Sequence, residues 1–516
     1  MNHYDKLTEA MAEVSDQYLE EAGASRQKKF PWFGTVAASL AAVMLIVLIS
    51  PLVLMAMFFG GGGMGASDPG APSGGKQNPT SAPMQDWLDS LDGGWLAVGR
   101  LSAPEYPEMA PYPQDPNVES GTLAYSRWKA GLTAQYNQPN GYDAGLNDFF
   151  VQSIPLFLGD SDENAVCSPL NIYMALAMLA ETTGGDSRES VLSALNADSI
   201  ESLRTQAGHV WNAHYRSDGA SACLLANSLW LNEGYTFNRS TVDTLAESYY
   251  ASVYQGRLGS SSMNNALRAW LSVQTQGLLD EYVDNIELSK EDALALASTV
   301  FFQAKWNSQF WSQKNTMGTF HSPGGDEEII FMNKELTYGP YYYGEDFGAV
   351  RLELDPAGIY GEAAMWLILP DEGYDPGDIL ESGHAMDMIL CQDKENRNST
   401  TIKVHLSMPK FDISAETDLE ESLTALGLGN LFSESDADFS AILPEAIGAH
   451  LGKTTHAARV AIDEEGVTAA AYTVIRLDGA PVPPEEEVYF TLDRPFLFVI
   501  TSHDNLPLFI GVVNAP

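Results

Sequence analysis

Basic residues are scarce in this chain: 27 Lys and Arg stand against 69 Asp and Glu, a formal net charge of -42 over 516 residues. A polyanion of this kind is repelled by phosphate backbones, which excludes nucleic acid as a partner and suits an exposed, well-solvated surface. Cysteine is scarcer still. Cys167, Cys223 and Cys391 lie far apart, with no CxxC spacing and no Cys/His cluster, which argues against a disulfide framework or a zinc module. Each reads as a small core residue. HExxH, GxSxG and GxxxxGK(S/T) are all missing, and the nine histidines are scattered. A solitary one such as His456 fits a hydrogen-bonded core position better than a general base. Carboxylates are so many that no pair stands out as a glycosidase dyad. No catalytic residue, metal or cofactor is therefore assigned, and an enzyme is the minor reading.

One long apolar run is present. Phe33 to Phe59 has no charged residue and a single proline, about 27 residues where about 20 helical ones cross a bilayer's hydrocarbon core. Arg26, Lys28 and Lys29 precede it, whereas the next forty or so residues carry only Lys76 and Arg100, a bias that keeps the N-terminus cytoplasmic and places the rest outside. A cleaved signal peptide is the alternative, with Gly65-Ala-Ser67 as its processing site; the length of the run and of the segment before it favour an uncleaved anchor. The expected organisation is a cytoplasmic tail (1–32), a transmembrane helix (33–59) and a flexible Gly/Pro/Ser linker (60–85). An irregular, proline-rich extension (86–140) and one large domain (141–516) follow. Gly60, Gly62 and Gly65 formally fit GxGxxG, but no strand leads into them, so a dinucleotide site is not expected.

In the large domain, Leu146, Phe149, Phe150, Ile154 and Phe157 have helical spacing, and Ser168-Pro169 opens a second helix over Leu170–Glu181. Strand-like runs follow at 223–231, 298–303, 363–369, 403–408, 488–491, 496–501 and 508–513. Helices early and strands crowded late predict an α+β fold. The most informative stretch is Asp463 to Leu477. From Val467 one parity gives Val467, Ala469, Ala471, Thr473, Ile475 and Leu477, all uncharged; the other gives Thr468, Ala470, Tyr472, Val474 and Arg476. That is a strand pattern, yet it opens on Glu464-Glu465-Gly466 and runs into Gly479-Ala480-Pro481-Val482 and further prolines, the chemistry of an exposed loop. An ordinary edge strand would satisfy the alternation. The alanines suit a chain that slides between neighbours already in place.

From about Tyr142 to Pro516 a series of motifs in order resembles the serpins. It comprises Asn164-Ala-Val-Cys-Ser-Pro-Leu-Asn-Ile172, Leu225-Ala-Asn-Ser-Leu-Trp230, Trp270 with Thr275-Gln-Gly277, Phe301-Phe-Gln-Ala-Lys-Trp306, and Met365-Trp-Leu-Ile-Leu-Pro370. Met408-Pro-Lys-Phe411, Ala437-Asp-Phe-Ser440, and Asp493-Arg-Pro-Phe496 with Leu508-Phe-Ile-Gly511 complete it. The resemblance implies a serpin fold of three β-sheets and about eight or nine helices. It also implies an exposed reactive loop that baits a serine protease, and a monomer that traps the acyl-enzyme by inserting the cleaved loop into its central sheet.

Residue by residue, the resemblance makes Glu464, Glu465, Gly466, Val467, Thr468, Ala469, Ala470, Ala471 and Tyr472 the hinge. Glu464 is expected to pair with Lys410 near Trp306 at the top of the sheet, the breach. Ser168, Asn171, Ser298 and His456 match a hydrogen-bonded group lower down, the shutter, with Asn171 and Ser298 exchanged relative to the family's usual serine and asparagine. The family spacing from Glu464 puts the residue before the cut at Ala480, within Gly479, Ala480, Pro481 and Val482; small side chains there suit an elastase-like or subtilisin-like target. Pro481 after the cut and Tyr472 in the hinge leave open a non-inhibitory serpin acting as a binding or structural module.

Overall fold

The computed structural model describes residues 99–516 except 103, 105, 107–108, 114–121, 160–162, 220, 284–285, 355–362, 391–398 and 468–485. These residues lie within one compact unit, 79–516. The apolar run 33–59, the linker, Cys391, hinge residues Thr468 to Tyr472 and the scissile region Gly479 to Val482 fall outside the described residues. Among the described residues no helix is long and apolar enough to cross a membrane.

Among the described residues the strands, numbered along the chain, form two sheets where three were expected. The first contains β1 (Gly99–Ser102), β3 (Arg216–Ser217), β4 (Ala222–Asn232), β5 (Ala251–Gly256), β6 (Leu294–Lys305), β12 (Phe411–Asp418), β13 (Thr455–Ile462) and β14 (Gly466–Val467). The second contains β2 (Ala165–Cys167), β7 (Thr316–Ser322), β8 (Gly325–Tyr343), β9 (Phe347–Glu353), β10 (Ala364–Pro370), β11 (Ser399–Pro409), β15 (Glu487–Thr491), β16 (Phe496–Thr501) and β17 (Pro507–Val513). The difference comes from β8. At roughly 3.3 Å per residue, its 19 residues bridge what would be two sheets, pairing with β7, β9 and β11.

Strands β10, β16 and β17 are buried at every position, which is why they read as unbroken apolar runs. Strand β13 alternates, burying His456, Ala458, Val460 and Ile462, so one polar side chain interrupts its inward row. Helix α3 (Pro169–Thr182), which starts after Ser168 with Pro169 at its first position, packs on the inner side of the first sheet with α2 (Leu146–Leu158) behind it. The other face is covered near β4 and β6 by the helix Ser261–Gln274, whose Met263, Leu267 and Trp270 share a cluster with Ala226 and Trp230.

The extension is more regular than expected. Strand β1 pairs antiparallel with β5 and continues the first sheet outward, and Leu123–Tyr136 forms a helix, α1. Helix α1 buries only Trp128 and Leu132, one turn apart, so its amphipathic signal is weak. Trp128 Nε1 donates to Asp218 Oδ2 at 2.7 Å, and the same oxygen takes Arg216 Nε at 2.9 Å. Tyr112 meets Trp128 edge-on at 4.9 Å, and Tyr106 stacks on both Trp211 and Tyr215. Replacing Trp128 by Ala removes a fully buried indole and should cost about 3–5 kcal/mol. Trp128→Phe keeps most of the packing but forfeits a bond to a charged acceptor, about 1.5–3 kcal/mol. Denaturant unfolding of the two variants measures both.

Candidate functional site

The first sheet runs β1-β5-β4-β6-β14-β13-β12. Strand β14 is antiparallel to both neighbours: Gly466 lies opposite Lys305, and Val467 opposite both Ala304 and Ile462. Strands β6 and β13 therefore run parallel to each other, one strand's width apart. Among the described residues they are joined only through those two residues. The lower half of β6, Leu294 to Ser298, is half-exposed, whereas its upper half is mostly buried.

The top of this place is built around Trp306. Its indole Nε1 donates to Asp463 O at 2.8 Å and its backbone N–H to Glu465 O at 3.1 Å. Asp463 Oδ1 in turn accepts from the N–H groups of Glu465 and Gly466, an Asx-type turn that aims the chain into the sheet. The expected breach pair is present, with Lys410 Nζ 2.6 Å from Glu464 Oε1. A third partner, unseen from sequence, is Asn315, whose Nδ2 donates to the same oxygen at 2.7 Å. Partial burial raises the Glu464 carboxyl, but the bonds from Lys410 and Asn315 outweigh it and hold the group below its ordinary value of 4.5. At Gly466 a Cβ would stand 2.3 Å from Ala304 O and 2.7 Å from Lys305 Cα. Both are backbone atoms, so only glycine fits. Val467 is 2% exposed and belongs to the inner core, as its parity predicted.

Lower down, the four shutter residues do come together. Ser168 N–H donates to His456 Nε2 at 3.0 Å and Ser168 Oγ to Leu508 O at 2.6 Å. With Nε2 accepting, the His456 proton sits on Nδ1, and burial pushes this imidazole down to about 4, so it is neutral. Asn171 and Ser298 are bonded to each other twice: Asn171 Nδ2 to Ser298 O at 3.1 Å, and Ser298 Oγ to Asn171 Oδ1. The two exchanged residues are thus direct partners. Asn227 completes the group, its Oδ1 2.8 Å from Ser298 Oγ while its Nδ2 is held by Tyr249 O. Its place in the Ala-Asn-x-x-Trp run marked it only as part of a strand. Both amide nitrogens are tied to carbonyls, so both amide oxygens face Ser298, whose hydroxyl carries one proton for the two. Hinge residues beyond Val467 and the scissile region lie outside the described residues. The arrangement can admit and grip a strand: a turn that steers it, a latch at its root, and a polar cluster short of one donor below.

A family model described as Serpin (serine protease inhibitor) matches residues 146–516. The leukocyte elastase inhibitor of Equus caballus is 29% identical over 388 residues, 72% of this chain and 98% of that protein. An uncharacterized serpin-like protein of Methanosarcina acetivorans is 27% identical, covering 73% and 87%. Among solved structures, the thermophilic serpin tengpin in its native state aligns with a TM-score of 0.64 at 24% identity, over 74% of this chain and 95% of its own. Arabidopsis AtSerpin1 in its native stressed conformation aligns with a TM-score of 0.62 at 22% identity. At these identities the solved structures show the fold.

Two outcomes follow from the polar cluster. Asn171→Ser and Ser298→Asn should each destabilise by about 1–3 kcal/mol, because each breaks a reciprocal pair, while the double variant should recover most of the loss. Equal, additive losses in a double-mutant cycle would count against the pairing. For His456, the unfolded chain takes up a proton below about pH 6.5 that the folded site refuses until about pH 4. Stability from this group is complete above that window and declines as pH falls through it, by about 3 kcal/mol in all. Unfolding curves of His456→Asn from pH 7 to 4 should show a shallower decline than those of the parent.

Proposed function

Because the chain belongs to the serpin family, and because its hinge already enters the central sheet at Gly466 and Val467, we propose that it is a suicide inhibitor of serine proteases. In this reading the large domain is held outside a cell on the apolar helix 33–59, and the extracellular loop is bait. Cleavage near Ala480 frees residues after Val467 to continue down the place between β6 and β13 while the protease is still acylated.

The register of β14 says what each inserting residue would meet. Six residues beyond Val467 is Thr473; six residues back from Ala304 is Ser298, and six back from Ile462 is His456. Thr473 would therefore arrive between the two shutter strands, with a hydroxyl proton for the cluster that lacks one. On the same inward row Ala469 would lie between Phe302 and Val460, and Ala471 between Val300 and Ala458. Both entering residues are small, as expected for a row that must fill without rearrangement. Ten residues, 468 to 477, face β6 from Gln303 to Leu294. At about 1 kcal/mol net per ladder bond, with apolar burial added, the gain is on the order of 10 kcal/mol. That equals the whole stability of an ordinary domain, so the uncleaved form is held kinetically.

The small residues around Gly479-Ala480 suit an elastase-like or subtilisin-like protease, and the name of the equine relative points the same way. Arg476 lies too early, since a cut after it leaves a shorter inserting strand. The register carries this reading, and the loop tests it. Incubated with elastase, the protein should form an SDS-stable adduct and release Pro481–Pro516, identified by mass spectrometry. Ala471→Glu should be cleaved at the same bond without an adduct, because the charge would be driven into the inner core. Nicking should raise the melting temperature of the parent but not of Ala471→Glu. Cleavage of the parent with neither adduct nor stabilisation would leave the non-inhibitory reading, which Pro481 favours.

A further inference from the structure

A second cluster lies where the extension meets the body. His214 ends the helix α5 (Ile200–His214), and His503 and Asp504 form the turn between β16 and β17. Far apart in the chain, these residues show no motif spacing. In the fold, one donor atom from each lies within 4.8 Å of the others. We propose that His214, His503 and Asp504 form a divalent-metal site of the zinc type, closing α5, the β16–β17 turn and the end of α1 on one another.

Three features of the cluster support a cation. First, the supporting bonds fix the ligands. His214 Nδ1 is 2.6 Å from Val210 O, so it carries a proton and leaves Nε2 facing Asp504 Oδ1 at 3.0 Å. Something positive must stand between that nitrogen and that carboxylate, either a proton or a metal ion. A carbonyl behind the imidazole is the partner that orients metal-binding histidines; Ser502 Oγ donates to the same Asp504 Oδ1 that faces His214, and the Tyr142 hydroxyl holds Oδ2 on the other side.

Second, His503 stacks on Tyr136 at 3.7 Å, yet neither ring nitrogen makes a hydrogen bond to a described residue. An imidazole set beside a histidine and a carboxylate, with neither nitrogen bonded to a described residue, is free to turn a nitrogen toward a cation. Third, the two imidazoles border a cavity of about 30 Å³, room for a water in the fourth position. Zn–N and Zn–O bonds near 2.1 Å put tetrahedral donors roughly 3.4 Å apart. His214 and Asp504 already meet this, and His503 closes in by sliding along the Tyr136 ring. The one cation facing the cavity, Arg216, has Asp218 against it at 2.9 Å.

The competing arrangement is a metal-free imidazolium–carboxylate pair with His503 a bystander, and His503→Ala separates the two. The full-length protein in detergent, stripped with chelator, is titrated with Zn²⁺ and with Co²⁺. Retained metal is counted by mass spectrometry after desalting, and the cobalt site is read from its visible d–d bands. The expected result is one metal per chain, tetrahedral cobalt bands, and a melting temperature raised by roughly 2 °C or more at saturating zinc. His503→Ala should bind at least tenfold more weakly, and the surface variant His405→Ala should bind like the parent. If His503→Ala folds poorly, Asp504→Asn and His503→Asn give the same comparison. No retained metal in the parent, or equal retention by the His503 variants, overturns the site. Adduct formation with elastase is read separately, so loss of one result leaves the other standing.

Discussion

The structure depends on two parallel strands that do not bond to each other. Strands β6 and β13 face across one strand's width, and the described chain bridges them at Gly466 and Val467 alone. A segment continuing β14 would be antiparallel to both and could pair with their inner edges. Unpaired backbone groups inside a sheet are costly, so a strand continuing β14 between β6 and β13, as proposed for the cleaved loop, would meet a demand from both neighbours. Other features of the site answer that demand or regulate it. The Asp463 turn fixes the angle of entry, the bare backbone at Gly466 lets it pass against Ala304 O, and the Lys410–Glu464–Asn315 latch ties down the root.

Halfway down, the demand is polar. Ser168 N–H holds His456, the Ser298 hydroxyl joins Asn171 to Asn227, and the carbonyls of Leu508, Ser298 and Tyr249 hold Ser168, Asn171 and Asn227 in turn. A buried polar group must be bonded or it destabilises, and here one hydroxyl proton serves two amide oxygens. The exchange of Asn171 and Ser298 keeps one amide and one hydroxyl in contact, so the cluster's composition survives although its positions are swapped. Such a cluster holds α3 to the sheet, and in the proposed register Thr473 would bring it a further hydroxyl. A structure poised between two states needs both properties.

How much of this could be read from sequence follows from how each element is buried. Strands covered on both faces announced themselves as apolar runs, and α3 through its Ser-Pro start. Strand β13 did not, because Ala457, Ala458 and Ala461 occupy both parities and blur the alternation. Strand β8 was hidden by Gly339-Pro340, which reads as a turn. The strand passes through it because a register shift near Ile402 and Val404 on β11 absorbs the irregularity. Asn315, Asn227 and the His214–His503–Asp504 group were invisible for another reason. Each acts through long-range contacts, and a single polar residue in a loop or strand carries no period.

The two faces of the berth explain why the hinge combines small and large residues. In the proposed register the inward row meets Phe302 with Val460, then Val300 with Ala458, and supplies Ala469 and Ala471 there. The outward row is reversed. Tyr472 would stand between Thr299 and Ala457, and Val474 between Ala297 and Thr455, so large side chains face small neighbours on the side covered by the helix Ser261–Gln274. Ala470, between Phe301 and Arg459, is again small beside large. Tyr472 is thus compatible with insertion because its neighbours on both strands are short. In that register β6 and β13 carry side chains complementary in size to those of the segment proposed to enter, so its composition follows from theirs.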